Sequence, residues 1–98
     1  MEVEKGSLKF QWDIGNFEKN YHKHGVRQFQ VEQLFFNEPL YLFVDIAHSD
    51  IEKRYIALGH DDLFNLLFIS FVIRDGMIRV VSARTMSKKE KTRYEKSI

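Results

Sequence analysis

The chain has 98 residues, no cysteine, one proline, 44% hydrophobic and 30% charged residues, which is enough for one small core and not for two. The missing thiols exclude a disulfide scaffold, a Cys-ligated zinc or iron–sulfur site and a thiol nucleophile. No apolar run approaches the roughly 18 residues of a membrane span, and Met1 to Phe10 lack the apolar stretch of a signal peptide, so a cytoplasmic protein is expected. The net charge of +1 hides an asymmetry: residues 1–50 carry five Lys/Arg against eight Asp/Glu, and residues 51–98 carry ten against six.

Residues 1–7 are expected to be a loose lead-in to a single domain over residues 8–98, since no repeat or Pro/Gly/Ser linker interrupts the chain. Leu8 to Trp12 alternates like a short strand, and Asp13 can cap a helix carrying Ile14, Phe17, Tyr21 and His24 on one face, ended by Gly25. A second helix is predicted from Arg27 to Phe36, with Phe29, Leu34, Phe35 and Phe36 on its apolar side, stopped by Asn37-Glu38-Pro39.

The period then changes from 3.6 to 2. Leu40–Asp45, Arg54–Gly59, Leu66–Arg74 and Ile78–Ala83 read as strands, and the third, apolar on both faces, suits the centre of a sheet. Asp75-Gly76 predicts a type I′ hairpin joining the last two strands. Ser87 and Glu90 have the spacing of a capping box, opening a final helix through Tyr94. The predicted fold is α+β, a small twisted antiparallel sheet with helices packed on it, in the order β-α-α-β-β-β-β-α.

Cations in strands are the most informative chemical signal, because a guanidinium on a sheet face commonly serves an anion or an acidic neighbour. Arg54 falls on the face of Ile56, Leu58 and His60. Strict alternation puts Arg84 with Ile78, Val80 and Ser82, and Arg79 on the opposite face with Val81 and Ala83. His22 and His24 point about 200° apart on a helix, which disfavours a shared metal. His24 is either packed at its helix end or a general acid or base. Lys88, Lys89, Lys91, Arg93 and Lys96 outnumber Glu90 and Glu95, giving either a solvated helix or a surface for a phosphate backbone. No Walker A loop, GxGxxG, HExxH, GxSxG or zinc spacing is present.

Several pieces together resemble the BrnT family of ribonuclease toxins from bacterial type II toxin–antitoxin modules. They are Phe10-x-Trp12-Asp13, Asn20-x-x-Lys23-His24-Gly25-Val26, and Phe35 through Leu40. His48-Ser49, Glu52-Lys53-Arg54-Tyr55, Ala57-Leu58-Gly59, Ile78 through Arg84, Lys88-Lys89-Glu90 and Tyr94-Glu95 continue the match. Gln28 departs from it, since many relatives carry an aromatic residue there.

The resemblance implies a RelE-like fold, cofactor-free RNA cleavage that inhibits translation and growth, and neutralisation by a BrnA-type antitoxin with a ribbon-helix-helix part. DNA would be bound only indirectly, through that antitoxin. The expected reaction is metal-independent attack of a ribose 2′-hydroxyl on the adjacent phosphate. Arg54 and Arg84, with Arg79, are expected to take phosphate charge; His24 or Glu52, with His60 as a further candidate, to move the proton; and Lys23, Lys88 and Lys89 to bind RNA. Two other readings are a non-catalytic nucleic-acid-binding regulator and an inactive toxin-fold binding partner.

Overall fold

The computed structural model describes residues 8–12 and 24–96; the expected lead-in, the first predicted helix before His24, and Lys23 lie outside the described residues. Five strands form one sheet: β1 (Phe10–Gln11), β2 (Tyr41–Val44), β3 (Tyr55–His60), β4 (Leu66–Arg74) and β5 (Met77–Thr85). Among the described residues two helices accompany them, α1 (Gln28–Phe36) and α2 (Lys88–Lys96), with a 3-10 turn at Ile46–His48. The spatial order is β1-β5-β4-β3-β2, so β4 is the middle strand, as its two-sided apolar sequence requires.

The sheet is mixed and not wholly antiparallel as expected. β1 pairs parallel with β5, Phe10 opposite Ile78 and Gln11 opposite Arg79, while the other three pairings are antiparallel. A two-residue edge strand contains no periodic signal for the direction of a partner some 70 residues away, which is why alternation does not reveal it.

The two faces of the sheet are packed differently. One face carries Ala57, Leu67, Ile69, Phe71, Ile78, Val80 and Ala83 against Val31, Leu34 and Phe35 of α1. Phe35 sits edge-on to both Phe10 and Phe71, with ring centroids 5.5 and 5.3 Å away, and Tyr55 stacks on Phe71 at 5.5 Å. Gly59 permits the close approach of α1, because a Cβ there would lie 3.0 Å from Leu34 Cγ. Val31, Leu34 and Phe35 define the buried stripe at i, i+3 and i+4. Phe29 and Phe36, expected on the apolar side, lie seven residues apart on the outward stripe and are 56% and 49% exposed.

Local signals of the sequence fix the connections. Asp75 and Gly76 both have positive φ, 53° and 73°, as a type I′ turn demands. The Glu90 carboxylate accepts the Ser87 N–H (2.8 Å), and Ser87 Oγ accepts the Glu90 N–H (3.2 Å), closing the capping box. Between β3 and β4 the buried Asp61 carboxylate accepts the backbone N–H groups of Leu63 and Asn65 and the side-chain amides of Asn65 and Gln30. That turn holds Phe64 at φ 61° and ties the sheet to α1.

Burial alone would raise the Asp61 carboxyl, but the hydrogen bonds from Gln30, Asn65 and Leu63 hold it below the ordinary aspartate range. Its stabilisation is therefore present above the unfolded-state pKa and is lost as pH falls through the lowered folded-state value. Asp61→Ala, which strands these donors, is expected to cost about 2–3 kcal/mol in urea unfolding at neutral pH, with the difference from the parent shrinking in acid. A pH-independent difference contradicts this.

Candidate active site

A bulge in β5 determines which arginines share a face. Ser70 lies opposite Ser82 and Phe71 opposite Val80, leaving Val81 as the extra residue on β5. The alternation therefore changes phase: Arg79, Ser82 and Arg84 stand opposite Val72, Ser70 and Phe68, on one face. Ile78, Val80 and Ala83 stand on the α1 face. This corrects the expectation that Arg79 and Arg84 point to opposite sides. Arg54, one residue before Tyr55, falls by alternation on the same side as Ile56 and Leu58, and so joins them.

This second face is divided in two. One half is covered by α2: Tyr94 and Met86 are buried over Ile56 and Leu58, with Tyr41, Phe43, Leu66 and Phe68 around them. Arg93 lies over the Phe43 ring at 4.5 Å. Arg84 holds the seam, with its Nη1 and Nη2 donating to the Glu90 carboxylate at 2.7 and 2.8 Å and its guanidinium 3.9 Å over Phe68. The hydrogen bonds from Arg84 keep the Glu90 carboxyl below its usual range, and the pair raises Arg84 in turn.

The other half of that face is polar. Continuing the β3–β4 register by one residue sets Arg54 opposite Val72, which is opposite Arg79, so the two arginines lie in one row across three strands, about 10 Å apart at the backbone. Glu52 receives a bidentate pair from Arg74, Nε to Oε2 at 2.9 Å and Nη2 to Oε1 at 2.7 Å. That hydrogen bonding, opposed by desolvation and reinforced by the charges of Arg74, Arg79 and Arg54, holds the Glu52 carboxyl below its usual range. Arg74 binds this carboxylate directly, whereas Arg79 and Arg54 act on it through their charge. A carboxylate so stabilised is a weak proton acceptor and a good counter-ion.

Beside this cluster lies a cleft of about 340 Å³ lined by Ala47, His48, Asp50, Ile51, Glu52, Arg54 and Val72. Among the described residues Arg54 Nε is buried with no hydrogen-bond partner, and Ser70 Oγ, on the same face, is likewise buried and unpartnered. Native proteins leave few such groups unsatisfied, and those that remain concentrate where a ligand or function uses them.

The remaining expected residues lie elsewhere. His60 is 7% exposed, its Nδ1 facing the Asp61 carbonyl (2.7 Å) and its Nε2 the Glu38 carbonyl (2.8 Å), with Phe64 stacked on the ring. Both nitrogens are engaged by backbone, away from the arginine row. His24 is half-buried beside Gly25 and makes no hydrogen bond or ion pair with Arg54 or Arg84 among the described residues. Lys88 and Lys89 are exposed on the first turn of α2. About 13 Å of strand separates the Arg84 row from the Arg79 row. His48 lines the cleft and was not among the expected catalytic residues, although its spacing from Arg54 in His48-Ser49-x-x-Glu52-x-Arg54 was readable. Among the described residues no group of three or more His, Cys, Asp or Glu side chains could hold a metal ion.

Residues 12–90 match a family model described as "Ribonuclease toxin, BrnT, of type II toxin-antitoxin system". No curated protein matches the chain significantly. Among the described residues no helix is long and apolar enough to cross a membrane.

A buried guanidinium nitrogen without a partner adds little to folding, whereas the Arg84–Glu90 pair anchors a helix. Arg54→Met is expected to leave urea stability unchanged or to raise it by up to about 1 kcal/mol. Glu90→Gln is expected to lower stability by about 1 kcal/mol, with faster amide exchange in α2. A large loss of stability with Arg54→Met would show that its guanidinium serves the fold.

Proposed function

The chain belongs to the BrnT family of ribonuclease toxins from type II toxin–antitoxin systems, and from that premise we propose that the polar half of the second sheet face, beside the cleft, cleaves RNA without a metal. In the proposed reaction a ribose 2′-oxygen forms a bond to the adjacent phosphorus as the bond to the 5′-oxygen breaks. Charge builds on the non-bridging phosphate oxygens in that transition state, and donors already fixed in place stabilise it most. The row that sets Arg54 level with Arg79, with Arg54 lining the cleft and its Nε buried and without a hydrogen-bond partner among the described residues, is the observation that carries this reading. Arg54 and Arg79 bind the scissile phosphate in this account, and Glu52 orients the arginines as their counter-ion. Arg84 acts at a distance by fixing α2, whose Lys88 and Lys89 lead the RNA backbone past the site.

The same reading extends to a RelE-like fold, to inhibition of translation in the cytoplasm, and to a BrnA-type ribbon-helix-helix antitoxin as the protein partner that the type II class calls for. His24 is retained as a proposed contributor to substrate binding or proton transfer, with His60 holding the turn behind β3.

Single-stranded RNA incubated with the protein in EDTA is expected to yield fragments ending in a 2′,3′-cyclic phosphate and a 5′-hydroxyl. Arg54→Met or Arg79→Met should slow cleavage about 100-fold or more. Lys88→Ala with Lys89→Ala should weaken binding more than turnover and flatten its salt dependence. Activity that EDTA abolishes and a divalent ion restores would overturn the metal-free mechanism. RNA bound but left intact would favour the non-catalytic reading.

A further inference from the structure

The connection between β2 and β3 is tied into one hydrogen-bonded unit around the cleft. The Asp45 N–H donates to the Arg54 carbonyl at 2.8 Å, and the Arg54 N–H donates to Ser49 Oγ at 3.0 Å. Ser49 Oγ in turn donates to the Asp45 carbonyl. A single hydroxyl therefore couples the backbone at Asp45 to the backbone at Arg54. Within this unit Asp45 precedes the 3-10 turn and His48 ends it, the His48 N–H donating to the Asp45 carbonyl at 3.3 Å.

The two side chains meet as well. His48 Nδ1 lies 2.9 Å from Asp45 Oδ2, the carboxylate side chain 16% exposed and the imidazole 64%. A carboxylate only accepts, so Nδ1 carries the proton and Nε2 is left as the ring's free acceptor. Among the described residues Nε2 has no hydrogen-bond partner. An imidazole fixed by a carboxylate, on the wall of the cleft that Arg54 lines, is a constellation for moving a proton next to an anion.

We propose that His48, positioned by Asp45, is the general base of the reaction, taking the 2′-hydroxyl proton on Nε2 while Arg54 holds the phosphate. The inference rests on the reading of the Arg54 cleft as the ribonuclease site. As the 2′-oxygen bonds to phosphorus, its proton passes to Nε2, the P–O5′ bond breaks, and the 5′-oxygen leaves with a proton from water. The imidazolium then returns its proton to solvent. The charged groups around the ring are Asp45, Asp50, Glu52 and Arg54. Asp45 is a positioning residue and touches no reacting atom.

Cleavage rates for His48→Gln and Asp45→Asn, with affinity measured on a non-cleavable 2′-O-methyl RNA, test the proposal. His48→Gln is expected to cleave at least about 100-fold more slowly, to bind that RNA within about twofold of the parent, and to lose the rise in rate with pH across the imidazole range. Asp45→Asn is expected to lower the rate by a smaller factor without weakening RNA binding. Addition of imidazole should partly restore His48→Ala. A fully active His48→Gln with an unchanged pH profile would overturn the proposal while leaving the arginine site intact, provided Arg54→Met is impaired. If both variants are fully active, the site reading itself fails.

Discussion

The extra residue at Val81 is the constraint on which the rest of the site depends, because it resets the facing of every β5 residue after it relative to those before it. Without the bulge, Arg84 would share the α1 face with Ile78 and Val80, and Arg79 alone would accompany Arg54. With it, Arg79 can join the row of Arg54 while Arg84, on the same face, reaches Glu90 and secures α2. The bulge also lies beside Ser70, whose buried hydroxyl has no partner among the described residues.

Stability and chemistry are divided between the two faces. The α1 face concentrates the aromatic packing of Phe10, Phe35, Phe71 and Tyr55 and the fully buried Leu34, Leu67 and Ile69. On the second face Tyr94 and Met86 cover one apolar half, and the other half carries Arg54 and Arg79 on either side of the buried Val72. A small domain that relies on one well-packed face can leave polar groups unsatisfied on the other, and such destabilising arrangements recur at functional sites. Arg54 fits this division, since its buried Nε lacks a partner among the described residues and it lines the cleft.

Much of this was readable in the residues, and the omissions have physical causes. The Asp75-Gly76 turn and the Ser87/Glu90 box are local chemistry, in which a few adjacent residues determine the geometry, and both formed as expected. The apolar run of β4 announced its central place. Alternation, by contrast, assumes an unbroken period, so it misassigned the arginine faces across the bulge. It is equally silent about distant pairing, which hid the parallel contact of β1 with β5. Phe29 and Phe36 were placed inside by their hydrophobicity, although Val31, Leu34 and Phe35 already complete the buried stripe. His48 was seen as part of a motif without a role because its partner Asp45 comes from the end of a strand, and only the folded turn brings the two together.

The central claim is that RNA meets the polar half of the second face, at the Arg54–Val72–Arg79 row. The most direct measurement is the change in backbone and arginine side-chain NMR shifts on titrating a non-cleavable 2′-deoxy or 2′-O-methyl oligonucleotide. The account predicts the largest changes at His48, Arg54, Val72 and Arg79, with smaller ones at Lys88 and Lys89. Changes centred on Leu63 and Phe64, or on the outward stripe of α1, with the arginine row undisturbed, would contradict it.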